Sequence, residues 1–233
     1  MISGLILENT ALDISKSPDY MSRSKTLHRR YRATKIMLAI GFLLGSINLV
    51  WAEKSADEMI RDTVNEVVAE LKSRRAELEA DRLALYELVD RIVVPRVALD
   101  RVSRLILGDY AKSASEIQRQ RFSESFKDLI MRSYASAMFE YTGEQEMRFG
   151  EVSVRGGGRI SVVPSELVLA GQQSVEVDYY CLRDADAGWQ IYDIQIDGIS
   201  LIISYRNQYG EFIANNGLDA LIESLEAKTA EVN

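Results

Sequence analysis

The stretch that decides the fold is WQIYDIQIDGISLIISYRNQYGEFIANN, residues 189–216. Its first half alternates in polarity, which predicts a β-strand. One face carries Tyr192, Ile194 and Ile196, and the other carries Trp189, Ile191, Asp193, Gln195 and Asp197. Asp197 and Gly198 suit a tight turn, after which apolar residues recur at helical spacing, so a helix follows with Ser200 as its expected N-cap. Such a junction forms one wall of either a hydrophobic core or a pocket, and periodicity alone does not distinguish the two.

Four helices are predicted before the sheet. The first spans Ser55 to about Ala80, the second spans Leu83–Val94, and the third runs from Pro95, which suits a first helical turn, to Gly108. Ser113 or Ser115 caps the fourth helix. Its large side chains are spaced by four residues and are Phe122, Phe126, Ile130, Tyr134 and Met138. This stripe suits either a core or the helical side of a pocket.

Four strands are predicted at about residues 147–155, 159–169, 174–183 and 188–196. Gly156, Gly157 and Gly158 join the first two. A phosphate-binding glycine loop opens a helix, whereas strands flank these glycines on both sides, so we expect a hairpin tip. The order of elements predicts an α+β fold. We expect N-terminal helices packed on a curved antiparallel sheet of about four strands, with C-terminal helices, enclosing a hydrophobic pocket.

Residues 1–52 have the features of an N-terminal extension and a secretory signal peptide. Residues 21–35 carry six Lys and Arg side chains and no acidic one, and residues 36–50 form an apolar run of about 15 residues. A membrane-spanning helix needs about 20 apolar residues. Cleavage after Ala52 is therefore favoured over an uncleaved anchor. One domain is then expected over residues 53–233.

The domain that remains is acidic. Residues 53–233 hold 21 Lys and Arg side chains against 32 Asp and Glu, a net charge near −11. This balance opposes nucleic-acid binding, which depends on clustered basic side chains. His28 is the only histidine and Cys181 the only cysteine, so the domain lacks the groups for a Ser-His-Asp or Cys-His mechanism and the usual zinc ligands. We expect no cofactor, no metal and no enzymatic activity.

Two blocks of the sequence resemble the MlaC family, also called the toluene-tolerance or organic-solvent-tolerance auxiliary proteins. Residues 189–222 are similar to its C-terminal signature, W-x-x-Y-D, then G-[IV]-S, an apolar helix with Tyr-Arg-Asn-Gln, and G-[LI]-D-x-L. Residues 107–126, LGDYAKSASEIQRQRFSESF, resemble a second family pattern that contains [AS]-[ST]-x-x-Q-R-x-x-F. The resemblance covers about residues 56–225. The chain departs from the family at Ala98 and Ala111, where an acidic and an aromatic residue are common.

The resemblance implies a periplasmic phospholipid-binding carrier. Such a carrier takes lipid between an outer-membrane lipoprotein complex and an inner-membrane ABC transporter complex and maintains outer-membrane lipid asymmetry. We expect a monomer. Two other classes stay open from the residues alone. A cone-shaped α+β pocket enzyme would use Asp193 or Asp197 as a buried base, and a lipid-independent adaptor would only bridge membrane complexes.

Eight side chains are the candidates for the lining of the lipid cavity, because they lie on the apolar faces of elements that must meet. They are Tyr134, Met138, Val177, Tyr179, Tyr192, Ile194, Ile199 and Ile202. Five further side chains also suit an ordinary core, and these are Val94, Leu105, Phe122, Phe126 and Phe212. Gly198 is the expected hinge. Loss of the lipid is expected to loosen the segment from Asp197 to Ser200.

Overall fold

The computed structural model describes residues 54–139, 145–169 and 174–230. The predicted signal peptide and the domain boundary after residue 52 lie outside this part of the chain. The elements, in order, are α1 (Ala56–Ser73), α2 (Arg75–Ala80), α3 (Arg82–Ile92), α4 (Leu99–Leu107), α5 (Tyr110–Ser113), α6 (Glu116–Phe139), β1 (Glu146–Phe149), β2 (Ser153–Arg155), β3 (Ile160–Val168), β4 (Ser174–Asp184), β5 (Gly188–Ile196), β6 (Ile199–Ser200), α7 (Leu201–Asn216) and α8 (Leu218–Ala230). This is the expected α+β fold.

The first and third predicted helices differ from the structure. The predicted single helix from Ser55 to Ala80 is interrupted at Arg74, whose φ of −118° and ψ of 19° are not helical. The third helix does not begin at Pro95, which lies in a 3₁₀ turn. Val97 forms a parallel β-bridge with Ile191, and this pairing holds the chain extended until α4 begins at Leu99.

Helix α6 begins with a reciprocal cap. The backbone N–H of Gln118 donates to Ser115 Oγ at 3.2 Å, and the backbone N–H of Ser115 donates to Gln118 Oε1 at 2.9 Å. These bonds satisfy donors that a helix N-terminus leaves unpaired. Of the two predicted caps, Ser115 is therefore confirmed, whereas Ser113 ends α5.

The sheet is antiparallel, in the order β1-β3-β4-β5-β6, with β2 also pairing with β3. Within the described part of the chain it has six strands, where about four were expected. The predicted strand over residues 147–155 divides at Gly150, whose N–H donates to the carbonyl oxygen of Pro164. Arg155 pairs with Ile160 across the three glycines, which confirms the predicted hairpin tip.

Strand β5 passes into α7 through a two-residue turn. Asp197 and Gly198 have φ angles of 48° and 77°, and Ile196 pairs with Ile199 on either side of them. Two consecutive positive φ angles define the turn type that matches the twist of a hairpin, which Asp-Gly favours. The predicted tight turn is therefore confirmed, and Ser200 caps α7 as expected.

The buried apolar side chains form three separate clusters. The helical core joins α4, α6, α7 and α8 and contains Val102, Ile106, Leu107, Phe122, Phe126, Tyr209, Ile213, Leu221, Ile222 and Leu225. The hairpin cluster joins α1, α2 and α3 and contains Leu71, Leu78, Leu85, Leu88, Val89 and Ile92. The sheet cluster joins the start of α1 to the sheet and contains Ala56, Met59, Ile60, Val163, Cys181 and Ile191.

Candidate functional site

One face of the sheet carries a continuous row of mostly apolar side chains. The strand register aligns Ile199, Ile196, Val177, Ser165 and Phe149 from β6 across to β1. Side chains on a strand alternate between faces, so this face, called the apolar sheet face below, also carries Val163, Leu167, Val175, Tyr179, Cys181, Ile191 and Ile194. The face could hold a long apolar ligand as readily as a helix.

Burial on the apolar sheet face decreases along the strands. At one end, the first two turns of α1 pack on Val163, Cys181 and Ile191, all of which are buried. Toward the other end, Val177 and Ile196 are only half-buried. The half-buried aliphatic side chains beside the closed end leave apolar surface that a ligand could cover.

A β-bulge in β5 changes which side chains share this face. Tyr180 pairs with Asp193, but the next residue of β4, Cys181, pairs with Ile191. Tyr192 is thus the extra residue, and the faces exchange at this point. The prediction that Ile191 and Ile194 lie on opposite faces of the sheet is wrong, since Ile191 belongs to the sheet cluster and Ile194 packs against it.

The bulge also separates Tyr192 from the other candidates. Its ring lies 6.3 Å from that of Tyr180 in an edge-to-face arrangement. The Arg101 guanidinium lies 5.6 Å from the centre of the Tyr192 ring. Burial raises the pKa of the Tyr192 hydroxyl, and the charge of Arg101 opposes that shift. The structure therefore places Tyr192 with Tyr180 and α4, away from Tyr179 and Ile194.

The remaining candidates fall into three groups. Val177, Tyr179 and Ile194 lie together on the apolar sheet face, and Ile199 extends it with 64 % of its surface exposed. Ile202 packs against the helical core. Tyr134 and Met138 lie in the last two turns of α6, where their side chains are outside the described part of the structure.

The secondary candidates are mostly core. Phe122 and Phe126 are buried in the helical core, and Phe212 packs against it, while Val94 and Leu105 are half-buried. Sequence reasoning missed Ile196 as a site residue, although its register partners are Val177 and Ile199. The signal was present, because Ile196 was already assigned to the same face as Ile194.

Two polar side chains on the apolar sheet face, Ser165 and Tyr179, are hydrogen-bonded, whereas the buried Ser161 Oγ on the same face has no hydrogen-bond partner among the described residues. Ser165 Oγ donates to the carbonyl oxygen of Val177 at 2.7 Å. Tyr179 shares a hydrogen bond with Ser165, yet burial dominates and raises the pKa of its hydroxyl. Burial likewise raises the pKa of the Cys181 thiol to about 12. A face whose polar side chains are few and uncharged favours apolar ligands.

The two carboxylates considered as catalytic bases have structural partners. Asp193 Oδ1 accepts hydrogen bonds from the N–H groups of Ile194 and Ile202 at 2.9 and 3.1 Å, and its Oδ2 accepts one from Ser200 Oγ at 2.6 Å. Asp197 Oδ1 accepts one from the N–H of Glu176 at 3.0 Å. Both carboxylates therefore hold the strand-to-helix junction together.

A cleft of about 520 Å³ lies near the β1 edge of the sheet, where Phe149 and Ser165 of the apolar row contribute to its lining. It is lined by Arg148, Phe149, Gly150, Pro164, Ser165, Glu166, Glu176 and Asp178. None of the eight candidate residues lines it. Its charged lining suits solvent better than acyl chains.

The fold and the half-buried apolar sheet face define an α+β protein of the kind that binds an apolar ligand between helices and a sheet. Among the helices of residues 54–139, 145–169 and 174–230, none has the length and apolar character to cross a membrane. In the same residues, His, Cys, Asp and Glu side chains form no group of three that could hold a metal ion.

The chain belongs to the MlaC family, whose model matches residues 61–227. It is 26 % identical over 185 residues to the toluene tolerance protein ttg2D of Pseudomonas putida, which covers 79 % of this chain and 84 % of the relative. It is 21 % identical over 181 residues to the intermembrane phospholipid transport system binding protein MlaC of Haemophilus influenzae, covering 77 % and 85 %. A phospholipid-binding protein from Ralstonia solanacearum, solved in complex with a phospholipid, superposes with a TM-score of 0.70 at 26 % identity and covers 76 % of this chain and 98 % of that one.

Proposed function

We propose that the protein binds a phospholipid with its acyl chains in the space between the three apolar clusters. A domain of this size usually has one contiguous core, whereas the described residues form three. Half-buried apolar side chains flank each cluster. Ile130 and Ile202 lie beside the helical core, and Val67, Val93 and Met131 lie beside the hairpin cluster. Val64, Tyr179 and Ile194 lie beside the sheet cluster. These half-buried apolar side chains beside the clusters are the observation that carries the proposal.

The proposed lining differs from the sequence candidates at two positions. Val177, Tyr179, Ile194 and Ile199 form its sheet side, and Ile196 joins them because it lies between Val177 and Ile199 in the register. Ile202, Tyr134 and Met138 remain the helical side. Tyr192 is left out, since the bulge directs it toward Tyr180.

Burial of the acyl chains supplies the affinity in this proposal. Each methylene moved from water into an apolar site contributes about 0.8 kcal/mol, so two chains need no charged anchor. The head group can stay in water. The relative from Ralstonia solanacearum, which was solved with a phospholipid, supports this ligand class.

In the proposed pathway the protein works in the periplasm. It would receive lipid from one of two membrane complexes, an outer-membrane lipoprotein complex or an inner-membrane ABC transporter complex, and deliver it to the other. The acidic domain would diffuse freely rather than adsorb to anionic bilayers. Export would remove residues 1–52, and N-terminal sequencing of periplasmic material is the check. A purified chain that keeps residues 36–50 and sediments with membranes would contradict release.

Native mass spectrometry of the purified domain tests lipid binding. We expect the mass of a phospholipid on the wild-type protein and its loss in Val177→Glu, because a charge on the apolar sheet face has no partner there. Ile117→Glu is the matched control, since Ile117 is 70 % exposed in the first turn of α6 and the same substitution there should keep the lipid. Val177→Trp repeats the test by filling the space without adding charge.

The outcomes separate the three classes considered for this chain. Folded Val177→Glu and Val177→Trp variants that retain lipid would contradict the proposed site. A wild-type protein that holds no lipid but still joins the two membrane complexes would be an adaptor. Turnover of an added lipid would indicate an enzyme.

A further inference from the structure

The junction between β5 and α7 is held by one carboxylate that reaches both elements. Asp193 lies in β5, and its Oδ1 accepts the N–H of Ile202, in the first turn of α7, at 3.1 Å. Its Oδ2 accepts the hydroxyl of Ser200 at 2.6 Å. A carboxylate at a helix N-terminus satisfies free N–H groups and interacts favourably with the helix dipole. Asp193 thus fixes where α7 leaves the sheet.

Ser200 completes the connection. It is only 5 % exposed, and its Oγ accepts the N–H of Ile203 at 3.1 Å while its hydroxyl hydrogen is directed to Asp193. Ser204 Oγ donates to the carbonyl oxygen of Ser200 at 2.8 Å. The hydroxyl therefore acts both as the N-cap of α7 and as the link from that cap to β5.

A second connection holds the strand side of the junction. The N–H of Asp197 donates to the carbonyl oxygen of Glu176, and Asp197 Oδ1 accepts the N–H of Glu176, each at 3.0 Å. The turn at Asp197 and Gly198 is thereby tied to β4. Ile199, which ends the apolar row at β6, lies between these two connections.

Packing alone does not hold this segment in place. Ile199 and Ile203 are 64 % and 59 % exposed, so burial contributes less to their position than it does for core side chains. The β5–β6 pairing sets Ile199 beside Ile196, and the hydrogen bonds of Asp193 and Ser200 add the side-chain contacts that tie the first turn of α7 to β5. Neither residue belongs to any of the three buried clusters.

We propose that Asp193 and Ser200 form a positioning pair that holds the first turn of α7 against β5 and sets the rate at which a bound phospholipid leaves. The inference rests on the proposed function, because the segment they hold is one wall of the proposed cavity. When the pair is formed, Ile199 and Ile202 keep the acyl chains enclosed. When it opens, that wall moves away and the chains have a path out.

The test measures transfer of a phosphatidylethanolamine with a pyrene-labelled acyl chain from the protein to phosphatidylcholine vesicles. We expect Asp193→Ala and Ser200→Ala to release the probe roughly tenfold faster, the factor that corresponds to the loss of one helix cap. Asp193→Asn should fall between these variants and the wild type, because its amide oxygen can still accept the two N–H groups. Ser200→Thr, which keeps the hydroxyl, should release the probe at close to the wild-type rate.

Ser55→Ala is the matched control for a general loss of stability. Ser55 caps α1, where its Oγ accepts the N–H of Glu58 and its own N–H donates to Glu58 Oε2 at 2.8 Å. Its loss removes the same kind of cap at a site outside the proposed cavity wall. We expect a similar fall in melting temperature with an unchanged release rate.

Three results would separate the possible failures. Equal acceleration in Ser55→Ala and Ser200→Ala would mean that release follows overall stability, and the positioning role would be wrong. Unchanged release in folded Asp193→Asn and Ser200→Ala variants would also overturn it. A wild-type protein that never takes up the pyrene-labelled lipid would instead contradict the proposed function. Ser200→Ala keeps the backbone bonds of Asp193 and serves where Asp193→Ala does not fold.

Discussion

The helical core and the apolar sheet face are built from the same types of side chain but are closed to different degrees. Phe122 at the centre of the helical core has no exposed surface, and Ile222 is equally enclosed. On the apolar sheet face, Val177, Ile194 and Ile196 stay half-buried. The difference indicates that the first region supplies stability, whereas the second keeps surface available for a ligand.

Aromatic packing gives the helical core its closure. The rings of Phe122 and Phe126 stack with centres 5.8 Å apart, and Tyr209 meets each of them edge-on at 6.2 Å. Such arrangements add to the free energy of simple burial. Burial also raises the pKa of the Tyr209 hydroxyl. These three rings pack directly against one another, and Phe122 has no exposed surface.

The largest expected effect is the loss of stability on truncating the helical core. Phe122→Ala should lower the free energy of unfolding by about 3–5 kcal/mol, since it removes a fully buried ring and leaves a cavity. Chemical denaturation measures the change. The remaining folded fraction should still carry lipid, and a stable Phe122→Ala variant that had lost its lipid would place the ligand in the helical core instead.

Removal of the lipid should have a smaller effect on stability, confined to the apolar sheet face and the start of α7. A ligand at one hundred times its dissociation constant stabilises the folded state by about 2.7 kcal/mol, so delipidated protein should melt at a lower temperature. Amide exchange should rise first near Gly198 and along residues 199–205, and it should change little around Tyr209. Unchanged melting and exchange after complete delipidation would make this segment ordinary core.

The smallest expected effect concerns Cys181, at the closed end of the apolar sheet face. Because burial raises the pKa of its thiol to about 12, almost no thiolate is present at pH 8, and iodoacetamide should react only through opening of the sheet. Opening of this end does not expose the proposed cavity, so delipidation should change the labelling rate by less than roughly threefold. A much larger increase in the labelling rate would mean that the cavity extends to the region under α1.

Part of the family resemblance was carried by residues of the helical core. Leu107 and Phe122 come from one block and Leu221 from the other, and all three lie in that core. The blocks also meet through polar contacts, since Gln118 Nε2 donates to Asp219 Oδ1 at 2.8 Å. The family pattern therefore indicates how the helices pack, and it says less about which side chains touch the ligand.

Local turn and cap chemistry was predictable, because it depends on few residues. The Asp197–Gly198 turn and the Ser200 cap follow from the backbone preferences and hydrogen-bonding groups of those residues. The break at Arg74 was not predictable in this way. Arg74 pairs with Glu70 at 3.0 Å and with Glu77 at 2.6 Å, and such pairs at helical spacing favour a continuous helix.

The sequence does indicate the bulge in β5, but the assumption of strict alternation hid that pattern. Reading every second residue places Trp189 and Ile191 with three polar side chains. Inserting one extra residue after Ile191 instead aligns Trp189, Ile191, Ile194 and Ile196 on one wholly apolar face, as in the structure. The position of Tyr192 was missed because the period of two was kept across the bulge. The division of the first predicted strand at Gly150 gave no such signal.

Photolabelling tests most directly the claim that the apolar sheet face, and not the helical core, holds the ligand. The protein would be loaded with a phospholipid carrying a diazirine on an acyl chain, irradiated, digested and mapped by mass spectrometry. We expect labelled residues in β4 and β5, around Val177 and Ile194, and at Ile199. Labels confined to the helical core around Phe122 and Ile222, or spread evenly over exposed surface residues, would contradict the account.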